Sequence, residues 1–426
     1  MTLRTVRANR NMNLAMTDQV LVSGVNFLTG ILIARALGLH QFGVFHIAWM
    51  AVILASNLQL AMIISPMMSI GPKQAPALSS AYYGAASAQQ LIFALLSATV
   101  LYGGTLAMGA IFPESKASAL AIPLAAAVFC LQVQDFIRRY FFTLQKSGHA
   151  VAIDAVSYLG QLAGLIWLFR QESLTISRAL WVIAATSILA ALVGMIRMDR
   201  ITWDSQVFRD AGRRHFHFAK WMGGSAFVQV VAIDWFVIVA AWTMGAIAAG
   251  AIKAAQKVIS VLNVLFMALE NVVPPEASRR YHTSGKSALA SYLSTVAQVG
   301  GMATILMALV VGIFAPPLIG ALYGPEFVEH AGLLRWFAVA YFVGFFGTPL
   351  RAWLTAIENT APIFWTSLLM LVFSLAVAYP INVVFGLPGT MAGILAAFVL
   401  LHASLAISVF RSARLQGEPE PGSVPS

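Results

Sequence analysis

The sequence predicts an all-α polytopic membrane protein. It has about twelve transmembrane helices in two six-helix lobes, related by a pseudo-two-fold axis along the membrane normal. Three observations predict it. Hydrophobic residues make up 59% of the 426 and charged residues only 10%, whereas a soluble domain carries about 25% charged residues. The basic residues segregate to alternate loops. Two short motifs recur roughly half a chain apart.

A bilayer core of about 30 Å is crossed by roughly 20 apolar residues in a helix. The stretches that meet this are 14–37, 43–64, 85–112, 118–142, 151–169, 179–196, 218–242, 246–273, 289–322, 333–357, 362–385 and 387–410. Mean hydropathy is +0.81. The N-terminal "MTLRTVRANRNMN" precedes a long apolar run, so it reads as a retained cytoplasmic tail rather than a signal peptide. Residues 1–196 then form the first lobe, 197–217 a cytoplasmic inter-lobe segment and 218–411 the second lobe. Residues 412–426, rich in Pro, Gly and Glu, form a disordered cytoplasmic tail. In the middle segment Ile201, Val207, Phe208 and Ala211 fall roughly on one face. Either this is a helix lying on the inner surface among anionic lipids, or it is a plain linker.

Lys and Arg concentrate on the cytoplasmic side of membrane proteins. With the N-terminus inside, 19 of the 26 basic residues fall at inner ends and 5 at outer ends, which places both termini in the cytoplasm. The formal charge of +10 is therefore mostly topology and does not call for a nucleic-acid partner. The single cysteine, Cys130, lies in an apolar stretch and reads as a small packing residue.

"GLHQFGVFHIA" at 38–48 is similar to "GAIAAGAIKAA" at 245–255, with Gly38 on Gly245, Gly43 on Gly250 and Ala48 on Ala255, an offset of 207. "RYFFTLQKS" at 139–147 is similar to "RAWLTAIEN" at 351–359, with Arg139 on Arg351 and Thr143 on Thr355, an offset of 212. An even number of spans per repeat inserts both lobes the same way up and implies a cleft between them.

The opening "DQVLVSGVNFLTGILIARALGLHQFGVF", followed by "LQLAMIISPMM", carries Asp18, Gln19, Ser23, Asn26, Phe27, Ala34, Arg35, Leu37, Gly38, Phe42, Gly43, Leu58, Gln59 and Pro66. It resembles the start of Wzx-type polysaccharide flippases of the multidrug/oligosaccharidyl-lipid/polysaccharide (MOP) exporter superfamily. The motif covers the first two helices; beyond them the twelve-span plan and the two lobes match. The resemblance implies a MATE-like fold in the bacterial cytoplasmic (inner) membrane. It implies alternating-access flipping of undecaprenyl-pyrophosphate-linked oligosaccharides to the outer leaflet, for O-antigen or exopolysaccharide biosynthesis. Other polysaccharide-assembly membrane proteins are the implied protein partners, and membrane lipid the surroundings.

Against this background Lys253 and Lys257 stand out, because a Lys at the centre of a membrane helix costs about 2.5–3.5 kcal/mol. They lie one turn apart on one face. Lys257 is 12 residues past Gly245, ~18 Å along a helix, and Asp234 is ~16 Å before the same turn. Three readings are open: the lysines snorkel to the interface, Asp234 pairs with one as structure, or both face water and attract an anionic substrate such as a pyrophosphate. Arg35, Arg139 and Arg351 are further candidates for head-group contact, with interfacial anchoring as the alternative for each; Asp135 is placed to hold Arg139. Asp234, Asp18 and Glu270 are the candidates for a coupling H⁺ or Na⁺, or else are solvated or paired carboxylates. His46 and His402 read as packed polar residues. Asn26, Gln59 and Asn263 read as interhelical hydrogen-bonders. Pro274–Pro275 and Pro316–Pro317 are expected to end or break a helix, and Pro349 and Pro380 to kink one.

The sequence lacks GxxxxGK[ST], HExxH and GxSxG, so no catalytic residue, metal or cofactor is expected and ATP drive would need another subunit. Two alternatives are an ion-coupled MATE-like drug exporter, whose cavity should be acidic, and a polytopic glycosyltransferase or polysaccharide polymerase, which should carry a large loop or an acidic cluster.

Overall fold

Inside a bilayer every backbone N–H and C=O must be satisfied within its own segment, so apolar runs this long become helices. The computed structural model describes the backbone of residues 3–260, 263–357, 359 and 361–415, and the side chains of these except 3–17, 218–227, 229, 230, 263–268, 270–272, 275 and 415. It is all-α. In chain order the helices are α1 (Leu3–Gln59), α2 (Ser65–Ile70), α3 (Pro76–Ile111), α4 (Ala121–Thr143), α5 (Ser147–Asp154), α6 (Gly160–Arg170) and α7 (Ile176–Arg197). There follow α8 (Ser205–Met244), α9 (Ala246–Ile259), α10 (Asn263–Ile313), α11 (Ala315–Tyr323), α12 (Gly332–Phe345), α13 (Gly347–Ala356) and α14 (Ala361–Leu415). Single π-helical turns join α1 to α2 at Leu60–Ile64 and α5 to α6 at Ala155–Leu159.

Eight helices among the described residues are long and apolar enough to cross a membrane. Two of them, Asp18–Lys73 and Ala361–Arg414, run to 56 and 54 residues, ~80 Å of helix, far beyond one crossing. Each is broken by a glycine at positive φ, Gly38 and Gly386. Val231–Met244 is a shorter apolar helix, closed by Gly245.

The chain divides into two compact units, Met1–Phe227 and Val228–Ser426. In the first, Ile137, Tyr140 and Phe141 of α4 pack with Tyr82 and Ala86 of α3, Ile153 of α5 and Ala190 and Ala191 of α7. Residues 198–217 pack with this unit. Asp204 caps α8, accepting from the Gln206 and Val207 amides at 2.8 and 3.0 Å. Ser80 donates to the Arg200 carbonyl at 2.9 Å, Lys146 binds Asp199 at 2.7 Å, and His215 hydrogen-bonds Tyr82 at 2.8 Å. Gly84 lets this strap approach α3, since a Cβ there would sit 2.1 Å from the Thr202 carbonyl oxygen. In the second unit the core gathers Val273, Ala277, Leu289 and Leu293 of α10, Trp353 and Leu354 of α13 and Leu405 of α14.

The structure revises two expectations and bears out a third. α10 runs through Pro274–Pro275 and breaks at Gly285 (φ 72°, ψ −169°); proline's φ suits a helix, whereas this turn needs a residue without Cβ. The stretch 289–322 is divided at Phe314, with Pro316–Pro317 opening α11. The kink expected of Pro349 is present: the span Gly332–Ala356 is interrupted at Phe346, three residues earlier, which leaves Pro349 in the first turn of α13. The tail beyond Leu415 lies outside the described residues.

Candidate functional site

The hairpin of α8 and α9 turns at Gly245, whose φ of 84° and ψ of 179° are open essentially to glycine alone. The turn is tight, so the two arms run side by side; counting from Gly245 sets Asp234, 11 residues before it, level with Lys257, 12 after it, yet the contact forms with Lys253, 8 after it. Asp234 on α8 meets Lys253 on α9, Nζ to Oδ1 2.7 Å, with side chains 14% and 10% exposed. Lys253 also donates to Gln256 Oε1 at 3.0 Å. Lys257, one turn on, is half-buried and forms no salt bridge among the described residues. Between Val231 and Ile259 the hairpin therefore carries two cations, Lys253 and Lys257, and one anion, Asp234.

Gln256 continues into a cavity of roughly 280 Å³ inside the second unit. Its polar wall is Gln256, Tyr341, Arg351, Ser367 and His402. His402 Nδ1 lies 2.6 Å from the Phe398 carbonyl, which can only accept, so Nδ1 carries the proton.

A second buried charge cluster lies in the first unit. Arg138 on α4 binds Asp18 of α1 at 2.7 Å through Nη2, Asp154 of α5 through Nε, and Asp135 at 3.4 Å through Nη1. Asp18 and Asp154 are 1% and 0% exposed. Gln134 donates to Asp154 at 2.7 Å, while Asp18 Oδ1 is buried without a hydrogen-bond partner among the described residues. The innermost part thus holds one guanidinium and two carboxyl groups, a formal excess of one negative charge when both are ionised. Asp154 directly precedes the π turn at Ala155–Leu159, a feature that often marks functional positions. Gln59, before the other π turn, donates to Gln90 at 3.0 Å and to the Gln132 carbonyl at 2.7 Å, which is the interhelical bonding expected of it.

Among the residues named from sequence, the structure brings together Asp234 and Lys253, and sets Arg351 on the cavity that Gln256 adjoins. Asp18 sits in the Arg138 cluster. Arg139 lies outside that inner cluster, a third exposed and 3.4 Å from Asp135. Arg35 is exposed just before the Gly38 break. The side chains of Glu270 and Asn263 lie outside the described residues. Sequence reasoning missed Arg138, Asp154, Gln134 and Gln256. Asp154 did leave a signal, as the one acidic residue in the stretch 151–169.

No family model matches the sequence, and no curated protein matches it. Solved structures do. The chain is similar to an inward-facing multidrug-resistance MATE transporter of the MOP superfamily, with a TM-score of 0.74 and 14% identity over 94% of this chain and 96% of that one. The fold is that of the MATE transporters. An outward-facing multidrug-resistance MATE transporter matches at TM-score 0.62 and 16% identity over 97% of this chain and 96% of that one. A Pyrococcus furiosus MOP-superfamily transporter, reported with a binding pocket of reversed polarity, matches at TM-score 0.62 and 15% identity over 96% of each chain. The MATE fold covers both units, and these neighbours have been solved in inward- and outward-facing conformations.

Proposed function

We propose that this chain is a flippase for polyprenyl-pyrophosphate-linked oligosaccharides in the bacterial cytoplasmic membrane, with both termini cytoplasmic. The observation that carries the reading is the hairpin's charge balance. Asp234 neutralises Lys253, and Lys257 remains a half-buried cation without a carboxylate among the described residues. A buried surplus cation is costly, and an anionic head group would offset that cost. Lys253 and Lys257 act as flexible point charges for the pyrophosphate, and Arg35, Arg139 and Arg351 assist its entry and exit. No bond is made or broken, so the residues bind and release rather than catalyse. Drive comes from H⁺ or Na⁺. The Asp18–Arg138–Asp154 cluster, with its one excess negative charge, takes up the cation; Asp234 is the second candidate, where protonation would free Lys253.

The test is complementation of a strain lacking this chain. Lys257→Arg should keep partial surface polysaccharide, and Lys257→Gln should abolish it at normal protein level. Full activity in a Lys253→Ala, Lys257→Ala double variant would overturn the head-group role. In proteoliposomes Asp154→Asn should remove the dependence of transport on an ion gradient; unchanged dependence would move coupling elsewhere.

A second reading has its own support. The excess negative charge at Asp18 and Asp154 also suits a MATE-like exporter of cationic drugs; two of the fold neighbours are multidrug-resistance MATE transporters. Under that reading, loss of the chain sensitises cells to cationic dyes and leaves surface polysaccharide intact.

A further inference from the structure

The strap at 198–217 has two faces, and the protein core covers only one of them. It leaves the last turn of α7 and is fastened to the ends of neighbouring spans. Ser80, early in α3, donates to the Arg200 carbonyl at 2.9 Å. Lys146, between α4 and α5, binds Asp199 at 2.7 Å, and the Tyr140 hydroxyl near the end of α4 donates to Asp199 at 3.4 Å. The apolar spans Ala117–Thr143, Ser147–Arg170 and Ile176–Arg197 begin or end beside these residues. The strap therefore lies where the apolar spans give way to polar chain, at the depth of lipid head groups.

A helix lying freely on a bilayer would sink its apolar face into lipid. Here that face is taken by protein. Ala211 is buried in the core of the first unit, Val207 and Phe208 pack against it, and Gln89 on α3 donates to the Phe208 carbonyl at 3.3 Å. This packing turns the arginines outward. Arg209, Arg213 and Arg214 are exposed, and none of them binds a carboxylate among the described residues. Asp204 caps α8 and Asp199 holds Lys146, so the three arginines stand beside one further acid of the strap, Asp210. Trp203 and Phe216, on either side of the arginines in sequence, are 64% and 67% exposed. Aromatic rings are unfavourable in water and like charges repel. At head-group depth both are accommodated, because a lipid phosphate accepts paired N–H bonds from a guanidinium and aromatic rings settle among head groups.

We propose that the outer face of this strap binds the head groups of anionic phospholipids, with the phosphates on Arg209, Arg213 and Arg214 and with Trp203 and Phe216 seated beside them. The surface concerns the surrounding lipid, not the cargo. It serves a flippase and a drug exporter alike, so its test is separate from polysaccharide complementation.

The experiment uses the full chain in phosphatidylcholine nanodiscs doped with phosphatidylglycerol that carries a head-group diazirine, with cross-links mapped by peptide mass spectrometry. The matching phosphatidylcholine probe is the control. The phosphatidylglycerol probe should label peptides from 198–217 more than the control does. This preference should fall about five-fold for each charge removed in Arg209→Gln, Arg213→Gln and Arg214→Gln. Higher ionic strength should reduce it too. The three side chains are exposed and bind no carboxylate among the described residues, so the variants should keep the thermal midpoint of the wild type. Trp203→Ala should lower labelling by both probes. Equal labelling by the two probes, or a preference that survives all three substitutions, would overturn the anionic-lipid assignment. So would the absence of labelling by either probe, which would place the strap clear of the bilayer. Protection by inorganic phosphate as complete as by unlabelled phosphatidylglycerol would overturn the lipid part, leaving a free-anion site.

Discussion

Two adjacent arginines, Arg138 and Arg139, look alike in sequence and differ completely in setting. Arg138 is a tenth exposed and holds two buried carboxylates, whereas Arg139 is a third exposed and reaches Asp135 at 3.4 Å. Removing one partner of a buried ion cluster leaves the others unpaired in low dielectric, at about 3–5 kcal/mol, whereas exposed pairs contribute about 0–1 kcal/mol. Arg138→Met should therefore lower the thermal midpoint of the detergent-solubilised protein by far more than Arg139→Met. Equal shifts would mean that the inner cluster is hydrated. One helical step decides this contrast, because 138 faces α1 and α5 while 139 points a further 100° round the helix.

At the scale of elements, the repeat has a backbone counterpart. Gly38 (φ 73°, ψ 171°) and Gly245 (φ 84°, ψ 179°) take the same conformation 207 residues apart. Residues with a Cβ pay about 1–3 kcal/mol in that region. Gly38→Ala and Gly245→Ala should each destabilise by that order. Gly24→Ala, in α1 with open space around it, should be neutral or slightly stabilising; thermal midpoints of the three variants check this. The N-terminal part of α8 adds a pH dependence. Burial, with the Arg214 charge second, holds His215 down to about 4 from its ordinary 6.5. The unfolded chain then binds more protons between these values, so stability should be intact above about pH 6.5 and fall as pH drops towards 4, by roughly 2–3 kcal/mol. His215→Phe should flatten that slope in pH-resolved melts; an unchanged slope would place the titration elsewhere.

For the molecule as a whole, the proposed orientation makes a labelling prediction. Ser115, in the turn between α3 and α4, and Ser205, at the start of α8, are both exposed. In a Cys130→Ser background, a membrane-impermeant maleimide added to intact spheroplasts should label Ser115→Cys and spare Ser205→Cys until the cells are opened. Labelling of Ser205→Cys from outside would invert the topology.

Composition and periodicity were enough for the class of fold, because the bilayer admits only helices of a set length and the charge bias follows from insertion. They also brought Asp234 near the depth of the two lysines, with Lys253 or Lys257 as its partner, by counting residues from Gly245; that the partner is Lys253 was decided by packing. Other features required the tertiary structure. Asp18, Arg138 and Asp154 come from three helices far apart in sequence, and nothing local to any of them signals the others. The helix break at Gly285 rather than at Pro274–Pro275 depends on backbone conformation, which residue type only biases. The cavity beside Gln256 is shaped by α8, α9, α12, α13 and α14 together. The sequence by itself determined what the bilayer demands of any chain. Which polar residues meet inside it was decided by packing, because helices of similar hydropathy can be rotated about their axes at little cost until side chains on neighbouring helices choose the partner face.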